Sequence, residues 1–274
     1  MTTVVSGAPL NFAAHLAKHG ENVYIMSAIG EDDLGEEAER CFEEWGISSK
    51  YVCVLSDKAT GRCMVTLDEN KVPSYNLLQD VTYDYITCDE VSDGFDVLYF
   101  GTLALRTENN YRLINKLLKT DGFKNVFVDI NIRPPFYSEK SVCFSIQHAT
   151  ILKISLEELP VVSEILKIQE SGGYKEFAEK LAIMYDNLKC IIITLGSDGA
   201  YALDCMAHKE YTCGCHKVEV KSTVGAGDSF SAAFLHKYMQ NNDISSCLKY
   251  AVKVAGFVVS EYDAVPDYKM EDFA

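Results

Sequence analysis

One short run near the carboxyl end, Lys221-Ser-Thr-Val-Gly-Ala-Gly-Asp-Ser-Phe, has residue types suited to phosphate chemistry. Gly225, Ala226 and Gly227 let a ligand approach the backbone closely, and a helical pattern begins at Asp228. The first N–H groups of a helix have no partner within the helix, so they bind anions with help from the helix dipole. The carboxylate of Asp228 can accept a proton from an attacking hydroxyl group. The run therefore predicts phosphoryl transfer.

Ordinary helix capping is the alternative interpretation of this run. The glycines would then form a turn, and Asp228 would cap the following helix. The run is not a Walker loop, because no Gly-Lys-Ser/Thr follows the glycines. A strand-like segment, Lys217-Val-Glu-Val, leads into the run, so we expect the glycines to join a strand to a helix.

Two other polar segments follow predicted strands. Asp129-Ile-Asn-Ile-Arg133 places polar groups at alternate positions, which can converge on a ligand. Arg133 suits phosphate oxygens, with a loop salt bridge as the alternative. Lys153-Ile-Ser-Leu-Glu-Glu158 ends in a carboxylate of the kind that magnesium prefers, and a capping box from Ser155 to Glu158 is the alternative or additional interpretation.

Alternating β-rich and helical patterns predict the scaffold that positions these residues. Strands are expected at Val97–Phe100, Val126–Ile130, Thr150–Ile154 and Cys190–Leu195, and helices at Asn109–Lys119, Glu157–Ile168 and Tyr174–Tyr185. This order predicts an α/β protein with a three-layer α/β/α, doubly wound and mostly parallel sheet. Ligands in such folds bind at the carboxyl ends of the strands.

The stretch from Tyr51 to Leu78 departs from this pattern. Cys63-Met-Val-Thr-Leu and Pro73-Ser-Tyr-Asn-Leu-Leu flank a polar turn, which predicts a hairpin at about 60–78 that stands off the sheet as a flap. No internal repeat, low-complexity tract or interdomain linker interrupts the chain. We therefore expect one domain over residues 1–274.

Composition limits the partners and the location of the protein. The chain has 274 residues, 48% of them hydrophobic, and a formal net charge of −15, which argues against a nucleic-acid partner. Because no run of eighteen apolar residues and no signal peptide is present, we expect no membrane partner and a cytoplasmic location. Ten cysteines, mostly in apolar runs, predict reduced and buried thiols.

A cluster of metal-binding residue types occurs between positions 205 and 216. Zinc could use such ligands, but the spacing matches no paired CxxC pattern. The alternation over Thr212–Val220 favours a strand over a metal site in this segment. The residues concerned are Cys205, His208, Cys213, Cys215 and His216.

Thr223-Val-Gly-Ala-Gly-Asp-Ser-Phe resembles the second signature of the ribokinase (PfkB) family of sugar kinases. The resemblance implies a ribokinase-like fold, in which Gly225, Ala226 and Gly227 form the anion hole and Asp228 is the catalytic base. Further family segments occur in the expected order along nearly the whole chain from Ser6.

Two amino-terminal segments resemble the sugar side of the family's site. Ser6–Gly20 resembles the first signature, which implies that Gly7 and Asn11 lie against the sugar. Ile29–Gly35 resembles the next turn and implies that Gly30 and Asp32 lie close to the substrate, with helix capping by Asp32 as the alternative.

Three further segments resemble elements that hold substrate, phosphate or nucleotide. The Asp-x-Asn-x-Arg-Pro run is fructokinase-like and implies contacts of Asn131 and Arg133 with substrate or phosphate. Lys153–Glu158 resembles an Asn-x-x-Glu element that organises magnesium, usually through water, with Ser155 in place of the Asn. Thr194–Gly199 resembles a nucleotide loop, with a plain β-turn as the alternative. The implied nucleotide-binding residues are Lys153, Ser155, Thr194, Gly196, Gly199, Thr223, Gly225 and Gly227, and the implied metal ligand is Glu158.

The resemblance implies ATP-dependent phosphorylation of a sugar's primary hydroxyl group with Mg²⁺, most simply fructose to fructose 6-phosphate. Phosphorylation of 2-keto-3-deoxygluconate or ribose, and a catalytically silent sugar or nucleotide binder, are the alternatives. An oxidoreductase is disfavoured because no GxGxxG follows an early strand. A lid hairpin of this kind implies a homodimer through the lid.

The chain departs from the family pattern at two places. The family has a further β-strand and lid segment before the first signature, carrying an Asp that binds sugar hydroxyls, and we expect this strand to be missing here. Ser222 occupies the position of an Asp that helps to bind a monovalent cation in potassium-activated relatives, so the use of K⁺ depends on this position.

Overall fold

The computed structural model describes residues 4–67, 73–88, 91, 94–120, 122–168 and 172–273. The helices are α1 (Ala8–Lys18), α2 (Asp33–Glu44), α3 (Glu108–Leu117), α4 (Glu139–His148), α5 (Leu159–Leu166), α6 (Gly173–Met184), α7 (Ala226–Met239) and α8 (Ile244–Val259). The strands are β1 (Tyr24–Gly30), β2 (Ser48–Leu55), β3 (Cys63–Leu67), β4 (Pro73–Leu77), β5 (Phe95–Gly101), β6 (Phe123–Asp129), β7 (Ile151–Ser155), β8 (Cys190–Thr194), β9 (Ala200–Asp204) and β10 (Lys209–Cys213).

A six-stranded sheet with the order β10-β9-β8-β7-β6-β5 forms the centre of the protein. Strands β5 to β8 are parallel, whereas β9 and β10 join antiparallel at one edge. The predicted mostly parallel sheet is therefore confirmed. The connections between the parallel strands contain helices, as parallel pairing requires.

Alternate residues of the central strands face two different helical layers. In β6 and β8, Val128 and Ile191 belong to the apolar cluster that contains α4, α5 and α6, and Phe127 and Ile192 belong to the cluster that contains α1, α7 and α8. This period of two explains why these strands are apolar on both faces. Polar residues on the same strand face as Phe127 and Ile192 therefore lie against α1 and α7.

The first two strands form a separate parallel pair, β1–β2. Within the described residues, ring contacts rather than a backbone ladder connect this part of the chain to β5. The rings of Tyr24 in β1 and Tyr51 in β2 lie 5.1 Å and 6.0 Å from the ring of Phe95 in β5. Side-chain packing therefore joins the two sheets at this point.

The predicted hairpin is present as the antiparallel pair β3–β4. Its polar turn at 68–72 lies outside the described residues. The hairpin forms a two-stranded sheet of its own, apart from the central sheet. Its base is fixed to the rest of the protein by a salt bridge between Arg106 and Asp84 and by a hydrogen bond from Arg106 to the Leu78 carbonyl at 2.8 Å.

The prediction of a strand at Lys217–Val220 is wrong. Strand β10 ends at Cys213, and residues 214–220 form no helix and pair with no strand of the described chain. Alternation alone cannot distinguish a paired strand from an extended segment without a neighbour. As a result Val218 and Val220 are exposed rather than packed.

All ten thiols are free of disulfide bonds. The prediction that they are buried is wrong for most of them. Cys190 and Cys247 are buried, Cys63 and Cys215 are exposed, and the others are half-buried, because an apolar run has only some of its residues on the core side. Within the described ranges, no three His, Cys, Asp or Glu side chains are grouped as a metal site. No described helix is both long and apolar enough to cross a bilayer.

Candidate active site

The glycine run begins helix α7 beside the carboxyl ends of the central strands. Gly225 is the residue before the helix and has φ +83°, in the left-handed region that favours glycine. A Cβ atom at Gly225 would lie 2.5 Å from the carbonyl oxygen of Ala264, so the position has no room for a side chain. Glycine is thus required both by the backbone angle and by the neighbouring chain.

The amino terminus of α7 has no side-chain cap. The alternative in which Asp228 caps this helix is therefore wrong. Within the described chain, the N–H groups of Gly227 and Asp228 have no hydrogen-bond acceptor, whereas Ser229 N–H already donates to the Gly225 carbonyl at 2.8 Å. Two unpartnered N–H groups at the positive end of a 14-residue helix can bind an anion.

The carboxylate of Asp228 is buried beside these N–H groups, with 9% of the residue exposed. Asn11 Nδ2 of α1 donates to Asp228 Oδ2 at 2.8 Å. The amide oxygen of Asn11 accepts from Ser6 Oγ at 3.1 Å and from Gly7 N–H at 3.4 Å, which turns the amide N–H group towards Asp228. The two signature regions thus meet in the folded chain.

The environment raises the pKa of Asp228 to about 6. Burial is the main cause, because it disfavours the charged form. The hydrogen bond from Asn11 opposes this effect, the negative charge of Asp129 adds to it, and the charges of Lys153 and Arg133 oppose it. A carboxyl group with a pKa near the working pH can both accept and release a proton during turnover.

This raised pKa predicts how activity depends on pH. If Asp228 acts as a base, kcat/KM should be constant above about pH 7 and should fall below about pH 6, approaching tenfold per pH unit, as the carboxylate becomes protonated. The measurement is kcat/KM for the sugar at saturating ATP across this range, in buffers of constant ionic strength. A profile that stays flat to pH 4.5 would contradict an ionisation near 6 in the free enzyme.

A buried ion pair lies directly beneath the start of α7. Asp129 and Lys153 are opposite each other in the register of β6 and β7, and the period of two turns both towards α7. Lys153 Nζ is 2.7 Å from Asp129 Oδ2, and the two side chains are only 6% and 3% exposed. The same ammonium group is 3.3 Å from the Cβ position at Gly227, so this glycine lets a positive charge approach the helix terminus.

Lys153 keeps its positive charge in this buried position. Burial lowers its pKa, but the charge and hydrogen bond of Asp129 outweigh that effect, so the pKa is raised overall. Asp129 also accepts a 3.4 Å hydrogen bond from Ser231 Oγ of α7. Asp129 was one of the polar groups expected to converge on a ligand, but its pairing with Lys153 was not predicted.

Glu158 connects the ends of β7 and β6. Its Oε2 accepts from Ser155 N–H at 2.8 Å, as predicted for the carboxylate half of a capping box, and its Oε1 accepts from Ile132 N–H at 2.6 Å. Burial and the nearby Asp129 raise the pKa of Glu158, and these two N–H groups and Lys153 oppose the shift. The Glu158 carboxylate thus fixes the loop that contains Asn131 and Arg133.

Arg133 is exposed and has no ion-pair partner among the described residues, so the loop salt bridge considered for it is not present there. Its positive charge lowers the pKa of Asp228 and that of the Cys63 thiol on the hairpin, in each case against a larger effect of burial. Arg133 is therefore near enough to the α7 terminus and to the hairpin for its charge to act on both. Asn131, two residues before it, has φ +44°, which asparagine tolerates better than most residues.

Asp32 caps helix α2, as the capping alternative predicted. Its Oδ1 accepts from Gly35 N–H at 2.9 Å and from Thr60 Oγ1 at 2.6 Å, and its Oδ2 accepts from Thr60 N–H at 2.8 Å. Thr60 Oγ1 in turn accepts from Gly30 N–H at 2.8 Å. This network ties the end of β1 to the base of the hairpin, and a sugar contact of Asp32 and Gly30 stays a prediction.

The Thr194–Gly199 segment forms a tight turn after β8. Leu195 N–H donates to the Gly199 carbonyl at 2.8 Å, and Gly196 and Gly199 both have positive φ. The Cβ position of Gly196 lies 3.9 Å from Glu157 Oε1, so the turn sits beside the end of β7. Thr223 is exposed ahead of α7, and its carbonyl accepts from Ala226 N–H at 3.4 Å.

Asn11, Lys153 and the glycine run thus meet around Asp228, beside the carboxyl ends of β6 and β7. A family model for pfkB family carbohydrate kinases matches residues 1–269. The chain belongs to the pfkB family of carbohydrate kinases. This pfkB kinase is accordingly an ATP-dependent phosphotransferase with a carbohydrate acceptor.

Curated relatives and solved structures agree with this assignment. The pfkB kinase is 26% identical to the 5-dehydro-2-deoxygluconokinases of Listeria monocytogenes and Shouchella clausii, over 96% of this chain and 83% and 82% of theirs. A Pyrococcus horikoshii sugar kinase in complex with ATP superimposes with a TM-score of 0.82 at 22% identity, covering 97% of this chain and 86% of that one. A Vibrio cholerae fructokinase with fructose, ADP and calcium gives 0.81 at 19%, covering 95% and 86%. The predicted ribokinase-like fold is confirmed.

Proposed function

We propose that this pfkB kinase transfers the γ-phosphoryl group of ATP to a primary hydroxyl group of a sugar acid, with Asp228 as the base. The observation that carries the proposal is a buried, proton-accepting carboxylate within the first turn of an uncapped helix. The same turn then offers a base for the hydroxyl group and N–H groups for the phosphoryl group. Both are needed in one place for phosphoryl transfer.

The proposed step uses the two oxygens of Asp228 differently. Oδ2 is held by Asn11, whereas Oδ1 has no hydrogen-bond partner in the described chain. The proton of the sugar hydroxyl passes to Oδ1 while the hydroxyl oxygen forms a bond to the γ-phosphorus and the bond from phosphorus to the ADP oxygen breaks. The N–H groups of Gly227 and Asp228 and the charge of Lys153 stabilise the negative charge of the transferred group.

The donor set also fits a magnesium ion held through water, as predicted for Glu158. Both oxygens of this buried carboxylate already accept backbone N–H groups, and each keeps a further lone pair that can accept from a metal-bound water molecule. A bound magnesium ion would supply positive charge that neutralises phosphate oxygens. ATP and metal-ion sites in this chain are supported by the ATP complex and the calcium-containing fructokinase among the neighbours.

A sugar acid is favoured over a neutral sugar by Arg133. This guanidinium has no ion-pair partner within the described chain, and its charge acts on both Asp228 and Cys63 of the hairpin. An unpaired cation there can bind a carboxylate in a bidentate manner. The names of the relatives at 26% identity denote kinases of a keto-deoxygluconate, which carries such a carboxylate. Fructose, which the Asp-x-Asn-x-Arg-Pro run suggested, is the second candidate and is supported by the fructokinase neighbour.

Replacement of Arg133 by Met tests this choice of substrate. If Arg133 binds the substrate carboxylate, the KM for 5-dehydro-2-deoxygluconate should rise by roughly ten- to a hundredfold, as expected for the loss of a charge-assisted hydrogen bond, and fructose turnover should change little. Arg112→Met, on the exposed side of α3, is the matched control. Equal losses for both sugars, together with a raised KM for ATP, would assign Arg133 to phosphate and remove this support for a sugar acid.

The silent-binder alternative and the lid dimer have separate tests. A protein that is thermally stabilised by ATP or a sugar but releases no ADP would be a binder rather than a kinase. Size-exclusion chromatography with light scattering measures the oligomeric state, and a clean monomer would reject a dimer formed through β3–β4. Turnover measured with and without K⁺ tests whether the chain uses a monovalent cation with Ser222 in place of the family's Asp.

A further inference from the structure

A buried histidine on α1 contacts the loop that follows α8. His15 has no exposed surface, its Nε2 is 3.0 Å from the Ala264 carbonyl oxygen, and its Nδ1 is 2.7 Å from the Tyr268 hydroxyl. These partners lie about 250 positions away along the chain, at separations of 249 and 253 residues. Nothing in the step proposed for Asp228 uses this ring.

The two partners fix the protonation of the ring. A carbonyl oxygen can only accept, so Nε2 of His15 carries the hydrogen and donates to Ala264, and Nδ1 accepts from the Tyr268 hydroxyl. Burial lowers the pKa of His15 to about 4, with the Ala264 hydrogen bond opposing the shift and the charges of His19 and Lys18 adding to it. The ring is therefore neutral near pH 7, with both nitrogens engaged.

The same carbonyl oxygen of Ala264 packs against Gly225 of the glycine run. It lies 2.5 Å from the Cβ position of Gly225, and the Cα of Ala264 lies 2.9 Å from that position. The carbonyl thus occupies the space that a side chain of Gly225 would need. The Ala264 carbonyl thus packs directly against the backbone of Gly225, the residue that precedes the first turn of α7.

Helix α1 therefore contacts both the Asp228 carboxylate and the Ala264 carbonyl that packs against Gly225. Asn11 and His15 are four residues apart and so share one face of the helix, with Asn11 bonded to Asp228 and His15 bonded to Ala264. We infer that His15 is a positioning residue, which holds the Ala264 carbonyl against Gly225 and thereby aims the free N–H groups of Gly227 and Asp228. This inference rests on the proposed role of those N–H groups.

Replacement of His15 by Phe keeps a ring in place and removes both hydrogen bonds. We expect kcat to fall by roughly ten- to a hundredfold, as for a misplaced catalytic group, with the KM for the sugar little changed. We also expect faster hydrogen exchange at the Ser229 amide, because its hydrogen bond to the Gly225 carbonyl depends on the same turn. His15→Gln, which keeps an amide N–H near the place of Nε2, should recover part of both losses.

His236→Phe is the matched control, since His236 is also buried but lies towards the far end of α7, where it contacts Glu21. It should lower thermal stability without changing kcat or Ser229 exchange. If His15→Phe does not fold, Tyr268→Phe removes only the hydroxyl partner and should give a smaller change in the same direction.

Measuring both kcat and hydrogen exchange at the Ser229 amide distinguishes failure of this inference from failure of the proposed function. A native chain without turnover would contradict the proposed function, and Ser229 exchange in the His15 variants would still decide whether the ring positions the turn. Native values of both kcat and Ser229 exchange in folded His15→Phe would overturn the inference. A loss of stability alone, equal to that of His236→Phe, would also overturn it, because it would show a structural role only.

Discussion

Asp228→Asn is expected to bind ATP and sugar normally and to lose about a thousandfold or more in kcat. The amide oxygen can still accept from Asn11, so the site keeps its shape, but an amide cannot take the hydroxyl proton. General base catalysis contributes roughly a hundred- to ten-thousandfold. Steady-state ADP release gives kcat, and titration calorimetry gives the two affinities.

Asp243→Asn is the matched control for this experiment. Asp243 caps α8 from an exposed position, and asparagine caps a helix about as well as aspartate does. This variant should therefore keep native turnover and stability. An Asp228→Asn protein with near-native kcat would remove Asp228 as the base, whatever the control shows.

Asp228→Asn should also be more stable than the native chain at neutral pH. The folded pKa of Asp228 is raised from 3.8 to about 6, so the native state holds this proton more tightly than the unfolded chain. The carboxyl group therefore costs no stability below about pH 4, and the cost grows to roughly 2–3 kcal/mol as the pH rises through 6. Urea unfolding at pH 7.5 and pH 4 should show a gain for Asp228→Asn that disappears at the lower pH.

Lys153→Met is expected to lower the free energy of unfolding by about 3–5 kcal/mol, because it leaves the buried Asp129 without its partner. A buried charge that loses its counter-ion pays the full cost of desolvation. The measurement is urea or guanidinium unfolding followed by circular dichroism at neutral pH. We also expect strongly reduced phosphoryl transfer, since the same ammonium group lies beside Gly227.

Two further variants test whether the ion pair is the cause. Lys175→Met breaks a salt bridge of 2.8 Å with Glu210 at the surface and should cost far less stability than Lys153→Met, because water screens the exposed pair. The double variant Asp129→Asn with Lys153→Met should be less destabilised than the sum of the single changes, because neither charge is then left unpaired. Additive losses would show that Asp129 and Lys153 act independently.

The apolar strands and the helix that follows the glycine run were predictable because their signals are local. Runs such as Cys190–Thr194 are apolar on both faces, as strands of a doubly covered sheet are, and a helical pattern begins directly after the glycines. Asp32 was ambiguous from sequence, since a carboxylate before a helix can cap it or contact a ligand. Only the folded chain shows that Thr60 and Gly35 donate to it.

Contacts between distant segments were beyond sequence reasoning. Nothing near His15 in the chain indicates Ala264 or Tyr268, which lie about 250 positions away and reach it through the packing of α8 on α7. Lys217–Val220 has the alternation of a strand, but the described chain supplies no neighbouring strand for it. The pairing of Asp129 with Lys153 depends on the register of β6 and β7, which a single sequence does not contain.

The most direct test of the central claim is ADP release by the native chain with MgATP and a panel of sugars, with the phosphorylated product identified by mass spectrometry. The panel contains 5-dehydro-2-deoxygluconate, 2-keto-3-deoxygluconate, fructose and ribose, each with and without K⁺. We predict turnover that is fastest with a sugar acid and that yields a phosphate ester at its primary hydroxyl group. Folded protein that binds ATP but phosphorylates none of these sugars would contradict the proposed function.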